Sequence, residues 1–205
     1  MTYVKASVRR PAGNPGNGIQ PKDQLVIYDV DDILSFPPRN DAGVVIEEDI
    51  VMKAGRYAIG IYLTPGTAEI SSNSDGETDA EGYTPSIKFN HPGNEQEIRE
   101  FKTNWLSKKC IVVLRYCSGK PADLIGTPCN PCKLSVSYTG SNESNTNELT
   151  FTQISKGDDI AIYRGTDTLE EPVAVVEAGA TDIDYQTDGQ YQLSAGAAKI
   201  AGVTG

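Results

Sequence analysis

The chain has 205 residues, of which 38% are hydrophobic, and its 18 Lys and Arg against 28 Asp and Glu give a net charge of −10. This length predicts one domain with extensions, or at most two small domains, and the 20 Gly and 12 Pro indicate the many turns of an all-β chain. The acidity argues against a nucleic-acid-binding protein, because contacts to phosphates require clustered Lys and Arg.

The first residues, MTYVKASVRRP, are charged and contain no apolar segment, so we expect no signal peptide. No apolar run reaches the ~18–20 residues of a membrane-spanning helix, and we expect a protein made in the cytoplasm with no membrane partner. Residues 1–22 are rich in Pro and Gly and poor in apolar residues. They predict an extended N-terminal arm that becomes ordered on a partner.

Residues 23–165 are predicted to form a β-sheet core. The first strand is expected at Leu25–Val30, followed by a hairpin of Val44–Val51 and Gly55–Leu63 with its turn near Lys53-Ala54-Gly55. In the second hairpin strand, alternation places four apolar side chains on one face. These are Tyr57, Ile59, Ile61 and Leu63.

The segment Thr64–Pro85 contains acids but no Lys or Arg, and it is predicted to be a long acidic loop. Loops of this length in compact domains are functional or disordered. Alternating Asn73, Asp75, Glu77 and Asp79 would offer oxygen ligands to Ca²⁺, but they match no calcium-loop spacing, which favours a solvated loop. Its acids are Glu69, Asp75, Glu77, Asp79 and Glu81.

One helix is predicted over residues 94–107, inside the stretch GNEQEIREFKTNWLSKKCIVVLRYC. Asn94 is a favourable N-cap, and Glu97 completes an N-x-x-E capping box. The apolar strand CIVVLRYC follows at once. A single helix among strands predicts a β-sandwich or barrel-like core with one flanking helix. Four side chains at helical spacing are expected to face the sheets: Ile98, Phe101, Trp105 and Leu106.

Four cysteines lie close together in the sequence, two of them in a C-x-x-C motif. They could form a zinc centre or a redox pair. In one continuous strand, however, the odd separation of Cys110 and Cys117 places their thiols on opposite faces. Reduced, metal-free thiols that pack as small apolar groups, together with a proline turn, are therefore favoured. The set is Cys110, Cys117, Cys129 and Cys132.

No catalytic constellation or cofactor motif is apparent. Asp29, Asp31 and Asp32 follow the first strand, and paired carboxylates can perform acid–base chemistry, but no partner nucleophile is evident. His91 is the only histidine, and the chain lacks a G-x-S-x-G nucleophile elbow. We therefore expect no enzyme and no cofactor.

The rest of the chain is predicted as short strands and turns. Residues 166–205 form an acidic C-terminal extension, expected to pack on the core. The remaining elements are strands at Ser86–Asn90, Leu134–Tyr138, Leu149–Phe151, Ile160–Tyr163, Val173–Val176 and Tyr191–Leu193, a turn-rich connection at Ser118–Pro131 and a hairpin tip at Ser141–Asn147.

Three stretches resemble the major tail tube protein of long-tailed, siphovirus-like bacteriophages. They are SIKFNHPGNEQEIREFKTNWLSKKCIVVLRYC, LIGTPCNPCKLSVSYTG and ELTFTQISKGDDIAIYRG. The resemblance lies in the order of elements over about two-thirds of the chain and in no invariant motif. The CNPC cysteines and the residues beyond Gly165 have no counterpart in it.

This resemblance implies a virion structural protein of the phage tail. Its subunits would form a sandwich with a flanking helix, associate into hexameric rings and stack into a tube alongside other tail proteins. DNA would pass through the tube without specific binding, which fits an acidic lumen that repels phosphate. The acids of the Thr64–Pro85 loop would then lie at subunit junctions or line the channel: Glu69, Asp75, Glu77, Asp79 and Glu81. The competing class is a β-sandwich binding module on a phage surface, such as a decoration or adhesin domain.

Overall fold

The computed structural model describes residues 6–13, 16–117 and 119–169, with the backbone of Ala174–Val176 and Tyr191–Leu193. The chain divides into two compact units, Met1–Leu169 and Glu170–Gly205. The first unit therefore extends slightly past the predicted core boundary. The expected packing of the C-terminal extension, and Val173 of a predicted strand, lie outside the described residues.

The first unit is mainly β and sandwich-like, with one α-helix, as predicted. Its early strands are β1 Pro21–Asp29, β2 Ile33–Ser35, β3 Val45–Ile46, β4 Val51–Met52, β5 Ile59–Tyr62, β6 Glu69–Asp75 and β7 Gly82–Pro92. After them come α1 Gln96–Trp105, β8 Cys110–Tyr116, β9 Ala122–Ile125, β10 Cys132–Gly140, β11 Asn145–Gln153 and β12 Ala161–Tyr163. In the second unit, β13 Ala174–Val176 and β14 Tyr191–Leu193 pair in parallel.

Strand β8 is the centre of the fold. One of its edges pairs with β1, which also pairs with β5, and its other edge pairs with β9 and, at a single position, with β10. The sheet continues from β9 to β12 and β3, and from β10 to β11, β7 and β6. Two groups of strands thus diverge from β8.

Both faces of β8 are buried, which explains its uninterrupted apolar sequence. On one face, Val112 and Leu114 belong to the core formed by β1, β5, β7, β10, β11 and α1. On the other, Ile111 and Val113 belong to a second core. That second core contains Tyr28, Ile46, Ile50, Leu124 and Tyr163.

The predicted hairpin of Val44–Val51 and Gly55–Leu63 is wrong. The turn exists, with a hydrogen bond from Arg56 N to Lys53 O of 3.0 Å, but its two strands diverge. Strand β4 pairs with β2, and β5 pairs with β1. Of the four apolar side chains assigned to one face, Ile61 and Leu63 are buried, Ile59 is half-buried and Tyr57 is exposed.

The predicted acidic loop is also wrong, because most of it forms a hairpin. Strand β6 pairs with β7 over seven consecutive positions, from Glu69 opposite Lys88 to Asp75 opposite Gly82. Only residues 76–81 connect the two strands. Likewise, the connection predicted over Ser118–Pro131 contains β9, which pairs with β8 and β12.

The helix is confirmed but shorter than predicted, and its cap differs. Glu95 is the N-cap and makes no side-chain capping hydrogen bond. Asn94 is engaged instead by Lys102 Nζ, which donates to Asn94 Oδ1 at 2.8 Å, and by Arg99 Nε, which donates to the Asn94 carbonyl at 2.7 Å.

The apolar face of α1 has three members rather than four. Ile98 is buried, whereas Phe101 and Trp105 are half-buried against the first core and stack on each other with ring centroids 5.7 Å apart. Leu106 is 53% exposed, so its predicted contact with the sheets is wrong. None of the helices among the described residues is long and apolar enough to cross a bilayer.

Candidate assembly surfaces

The structure does not bring the four cysteines together. Cys110 and Cys132 lie opposite each other on β8 and β10 and are buried, and Cys110 Sγ donates to the Cys132 carbonyl at 3.4 Å. Cys117 and Cys129 are exposed. Among the described residues, no group of three or more His, Cys, Asp or Glu side chains is placed to hold a metal ion.

The two buried thiols are poor nucleophiles. Burial raises the pKa of Cys110 to about 12, with a contribution from the negative charge of Asp29, and burial also raises the pKa of Cys132. Because the thiolate is the reactive form, these positions are chemically inert at neutral pH. The pair therefore acts as small apolar side chains at the junction of β8 and β10.

The first two residues of the C-x-x-C motif lie in a turn, and its second cysteine, Cys132, begins β10. Thr127 and Asn130 exchange backbone hydrogen bonds of 3.0 and 3.1 Å. The Asn130 side chain also donates to the Ser155 carbonyl and accepts from Ser155 N, at 2.8 and 3.0 Å. The turn before β10 is thereby fastened to the segment after β11.

The five candidate acids fall into two groups. Glu69 and Asp75 lie on β6, and each forms an ion pair of 3.2 Å, with Lys88 and Lys156 respectively. The hydrogen bond and charge of Lys156, together with a hydrogen bond from Gly76 N, lower the pKa of Asp75. The other three, Glu77, Asp79 and Glu81, are exposed in the connection at the tip of the hairpin.

The aspartates after β1 have structural roles. Asp29 is buried, accepts a hydrogen bond from Asp31 N at 3.1 Å and pairs with Lys108. Asp32 forms an ion pair of 3.4 Å with Arg56.

His91 lies on β7 rather than in a nucleophile–base pair. Its ring meets Tyr62 edge-on, with centroids 6.2 Å apart. Partial burial lowers the pKa of this histidine. The neutral imidazole is therefore the main form at pH 7.

A polar face, which the sequence analysis did not single out, covers one side of strands β10, β11, β7 and β6. Their other side carries the buried Leu134, Phe151 and Ile87, which are aligned across the strands. Strict alternation then points the intervening residues outward. Residues that lie side by side on neighbouring strands form three rows across this face. From β10 toward β6, the rows are Lys133–Thr152–Ser86–Ser71, Ser135–Thr150–Lys88–Glu69 and Ser137–Glu148–Asn90.

The polar face is rich in small hydroxyl side chains and carries charges of both signs. Ser71 and Ser86 hydroxyls lie 3.0 Å apart across β6 and β7. Glu69 and Asp75 belong to this face, so two of the five predicted acids are on it. The sequence signal was the alternation of Ser, Thr, Lys and Asn with apolar residues, which identified parts of β7, β10 and β11 as strands but neither β6 nor the shared surface.

The edge of this sheet at β6 is free among the described residues. Tyr83 of β7 exchanges both backbone hydrogen bonds with Gly157, at 2.9 and 3.0 Å, and so makes none with Ser74, its β6 neighbour. In an antiparallel ladder, hydrogen-bonded and non-bonded pairs alternate. The backbone groups of Ile70, Ser72 and Ser74 therefore point away from β7, toward the free edge.

Among the described residues, the opposite edge, at β10, has no strand partner beyond Cys132, and Val136 and Tyr138 on it are at least partly exposed whereas Leu134 is buried. Ser141 N donates to Ser144 O at 2.7 Å, so Ser141 and Ser144 are a hydrogen-bonded pair at the end of the β10–β11 ladder. Counting back along β10, every second residue from Ser141 is therefore bonded to β11, and the residues between them are not. Leu134, Val136 and Tyr138 consequently direct their backbone groups away from β11. Within the part of the chain that the structure describes, β10 meets β8 only at Cys132.

Comparisons of this chain with protein-family models, curated proteins and solved structures gave no match.

Proposed function

We propose that this chain is a virion structural protein, a subunit of the bacteriophage tail tube. Copies associate into hexameric rings, and the rings stack, with other tail proteins, around a channel for DNA. The ring size and the virion context come from the family resemblance. The observation that carries the proposal is the pair of unpaired strand edges, at β6 and along most of β10, on opposite sides of the four neighbouring strands β10, β11, β7 and β6.

Two different free edges favour ring formation over simple pairing. When β6 of one copy meets β10 of the next, the contact is head-to-tail, and such contacts close into a ring when the rotation between copies permits it. Each contact would satisfy backbone donors and acceptors that otherwise remain bound to water. A sheet with both edges used in this way has no edge left for uncontrolled aggregation.

The polar face suits the inner wall of such a ring. It presents hydroxyls and mixed charges rather than a cluster of Lys and Arg, so phosphates find little to bind. The net charge of −10 adds general repulsion of DNA. In this arrangement Glu69 and Asp75 line the channel, and Glu77, Asp79 and Glu81 at the hairpin tip lie at a junction between subunits.

Proline substitutions test the edges. Ser72→Pro and Val136→Pro each remove an outward backbone N–H, and edge strands tolerate Pro when its nitrogen faces solvent. We expect six-fold rings or tubes from the unmodified chain in negative-stain electron microscopy, and monomers from each proline variant. Ser72→Ala and Val136→Ala keep the N–H and should assemble normally, with circular dichroism confirming the fold of all four.

An unmodified chain that stays a monodisperse monomer would contradict the tail tube proposal and favour the decoration or adhesin class. Proline variants that form normal rings would show that the contacts between copies lie elsewhere.

A further inference from the structure

A cavity of about 360 Å³ lies between β5, the end of β7 and the start of α1. Its walls carry three aromatic rings, from Tyr62, His91 and Phe101, and two carboxylates, from Glu95 and Glu97. The size falls at the lower end of the range for ligand sites. No step of the proposed ring contact uses this cavity.

The lining suits a guanidinium group. Arg stacks on aromatic faces and forms charge-assisted hydrogen bonds with carboxylates, so a site with both attracts Arg in particular. Two full negative charges outweigh the partial positive charge of the helix start. The nearby Lys102 ammonium already donates to Asn94 and to Asn147, at 2.8 and 2.7 Å.

The N-terminal arm offers the matching group. Residues 6–13 are all exposed, and neither Arg9 nor Arg10 has an ion-pair partner among the described residues. Residues 6–20 contain no acid that would compete for these cations. Pro11 restricts Arg10 to an extended backbone, which lowers the entropy lost on binding.

We propose that the arm of one copy inserts a guanidinium of Arg9-Arg10 into this cavity on a second copy. The inference rests on the proposed self-association of the chain, and it adds a contact separate from the β6 and β10 edges. The described arm residues of the same copy do not line the cavity. Residue 20 is held at β8 instead, where Cys117 N donates to Gln20 O at 2.9 Å.

The only Trp of the chain reports on this contact. Trp105 stacks on Phe101, a wall of the cavity. The peptide ASVRRPAG, which copies residues 6–13, is titrated into the dilute full-length chain at low ionic strength. We expect a saturable change in Trp105 emission and a binding heat by calorimetry, both weakened by added salt.

Two controls isolate the charges. The peptide ASVEEPAG should bind at least tenfold more weakly than ASVRRPAG, and the Glu95→Lys/Glu97→Lys chain should lose at least tenfold affinity for ASVRRPAG. If the reversed chain does not fold, Glu95→Gln/Glu97→Gln takes its place, with a smaller loss expected. Equal binding of both peptides, undiminished binding to a folded charge variant, or no heat and no emission change would overturn the proposal.

This test is independent of ring formation. A chain that binds the arm peptide but never forms rings would refute the tail tube proposal alone. Rings that form from a chain unable to bind the peptide would refute the arm contact alone.

Discussion

At the scale of single residues, Asp123 is held in an environment that disfavours its charge. Burial is the main cause of its raised pKa, and the charge of Asp159 adds to it. The Tyr116 hydroxyl donates to Asp123 Oδ2 at 2.5 Å and offsets part of the effect. Between the ordinary carboxyl pKa and its raised value, the folded state therefore holds a proton more tightly than the unfolded state.

The direction of this pKa shift predicts how the free energy of unfolding changes with pH. As pH rises through the raised pKa, Asp123 ionises in a partly buried position, and the free energy of unfolding falls. Asp123→Asn keeps an oxygen that accepts from Tyr116 but carries no charge. We expect this variant to be more stable than the unmodified chain at pH 7, with a difference that shrinks as pH falls toward ~3.9, the ordinary Asp value.

Urea unfolding at pH 7, 5.5 and 4 measures the difference. Glu143→Gln, at an exposed position in the hairpin connection, serves as the control and should show no comparable trend. A less stable Asp123→Asn chain at pH 7 would show that the carboxylate is net stabilising.

At the scale of elements, α1 is fastened at its end by aromatic packing. Trp105 stacks on Phe101, and Lys108 Nζ lies 5.1 Å from the centre of the Trp105 ring. Lys108 in turn pairs with the buried Asp29 at the end of β1. The C-terminal end of the helix is thus tied to the central sheet through the Trp105 ring and the Lys108–Asp29 ion pair.

Trp105→Ala tests this attachment. Full burial of Trp would predict a loss of ~3–5 kcal/mol, but the ring is half-buried, so we expect the free energy of unfolding to fall by about 2 kcal/mol. Leu106→Ala, at the exposed neighbouring position, should change it by less than ~0.5 kcal/mol. Equal effects in thermal or urea unfolding would contradict the observed orientation of the helix.

The sequence predicted those elements whose pattern reflects burial. The apolar run of β8 follows from burial on both faces, and the alternation in Leu134–Tyr138 matches the half-buried β10. Helix α1 was predicted from four side chains at helical spacing, of which three contact the core and Leu106 does not. Its predicted cap, Asn94, was wrong, because the Asn94 side-chain oxygen accepts from Lys102 Nζ and Glu95 takes the N-cap position.

Elements without an apolar face, or with distant partners, were missed. The β6 sequence EISSNSD has a single large apolar residue, Ile70, and is defined as a strand by its ladder to β7. The pairing of β5 with β1, rather than with β4, depends on residues far away in the chain. The polar face depends on both the ladder and the register, so the sequence offered Glu69 and Asp75 among five candidate acids but did not show the surface on which these two lie.

At the scale of the whole first unit, a polar network joins its last residues to the central strands. Tyr28 donates to Asp167 Oδ1 at 2.6 Å, and Arg115 pairs with the same carboxylate. Arg115 also donates to the Gly165 carbonyl at 2.7 Å. Burial and the adjacent Asp167 charge raise the pKa of Tyr28, so its hydroxyl stays protonated and remains a donor.

Asp167→Ala breaks this network. The Asp167 side chain is 6% exposed, and its loss leaves Arg115, which is 28% exposed, without a carboxylate partner. Removing one member of a buried pair costs ~3–5 kcal/mol, and we expect about 3 kcal/mol because Arg115 retains some solvent contact.

Glu47→Ala is the matched control. It breaks a pair of the same chemistry with Arg164, but both of those side chains are more than half exposed. The expected loss is ~0–1 kcal/mol. Similar losses in the two variants, measured by urea unfolding, would contradict a structural role for Asp167.

Asp167 lies late in the chain, and its position determines the order in which contacts can form during synthesis on the ribosome. Because Asp167 lies 139 residues beyond Tyr28, the hydrogen bond between them can form only after those residues have been synthesised. The β10–β11 hairpin, in contrast, needs only neighbouring residues, and it can form while the second core is still open. A nascent chain therefore exposes the unpaired part of β10 before its second core is complete, and if the proposed contact between copies uses this edge, two unfinished chains on one polysome could already meet there.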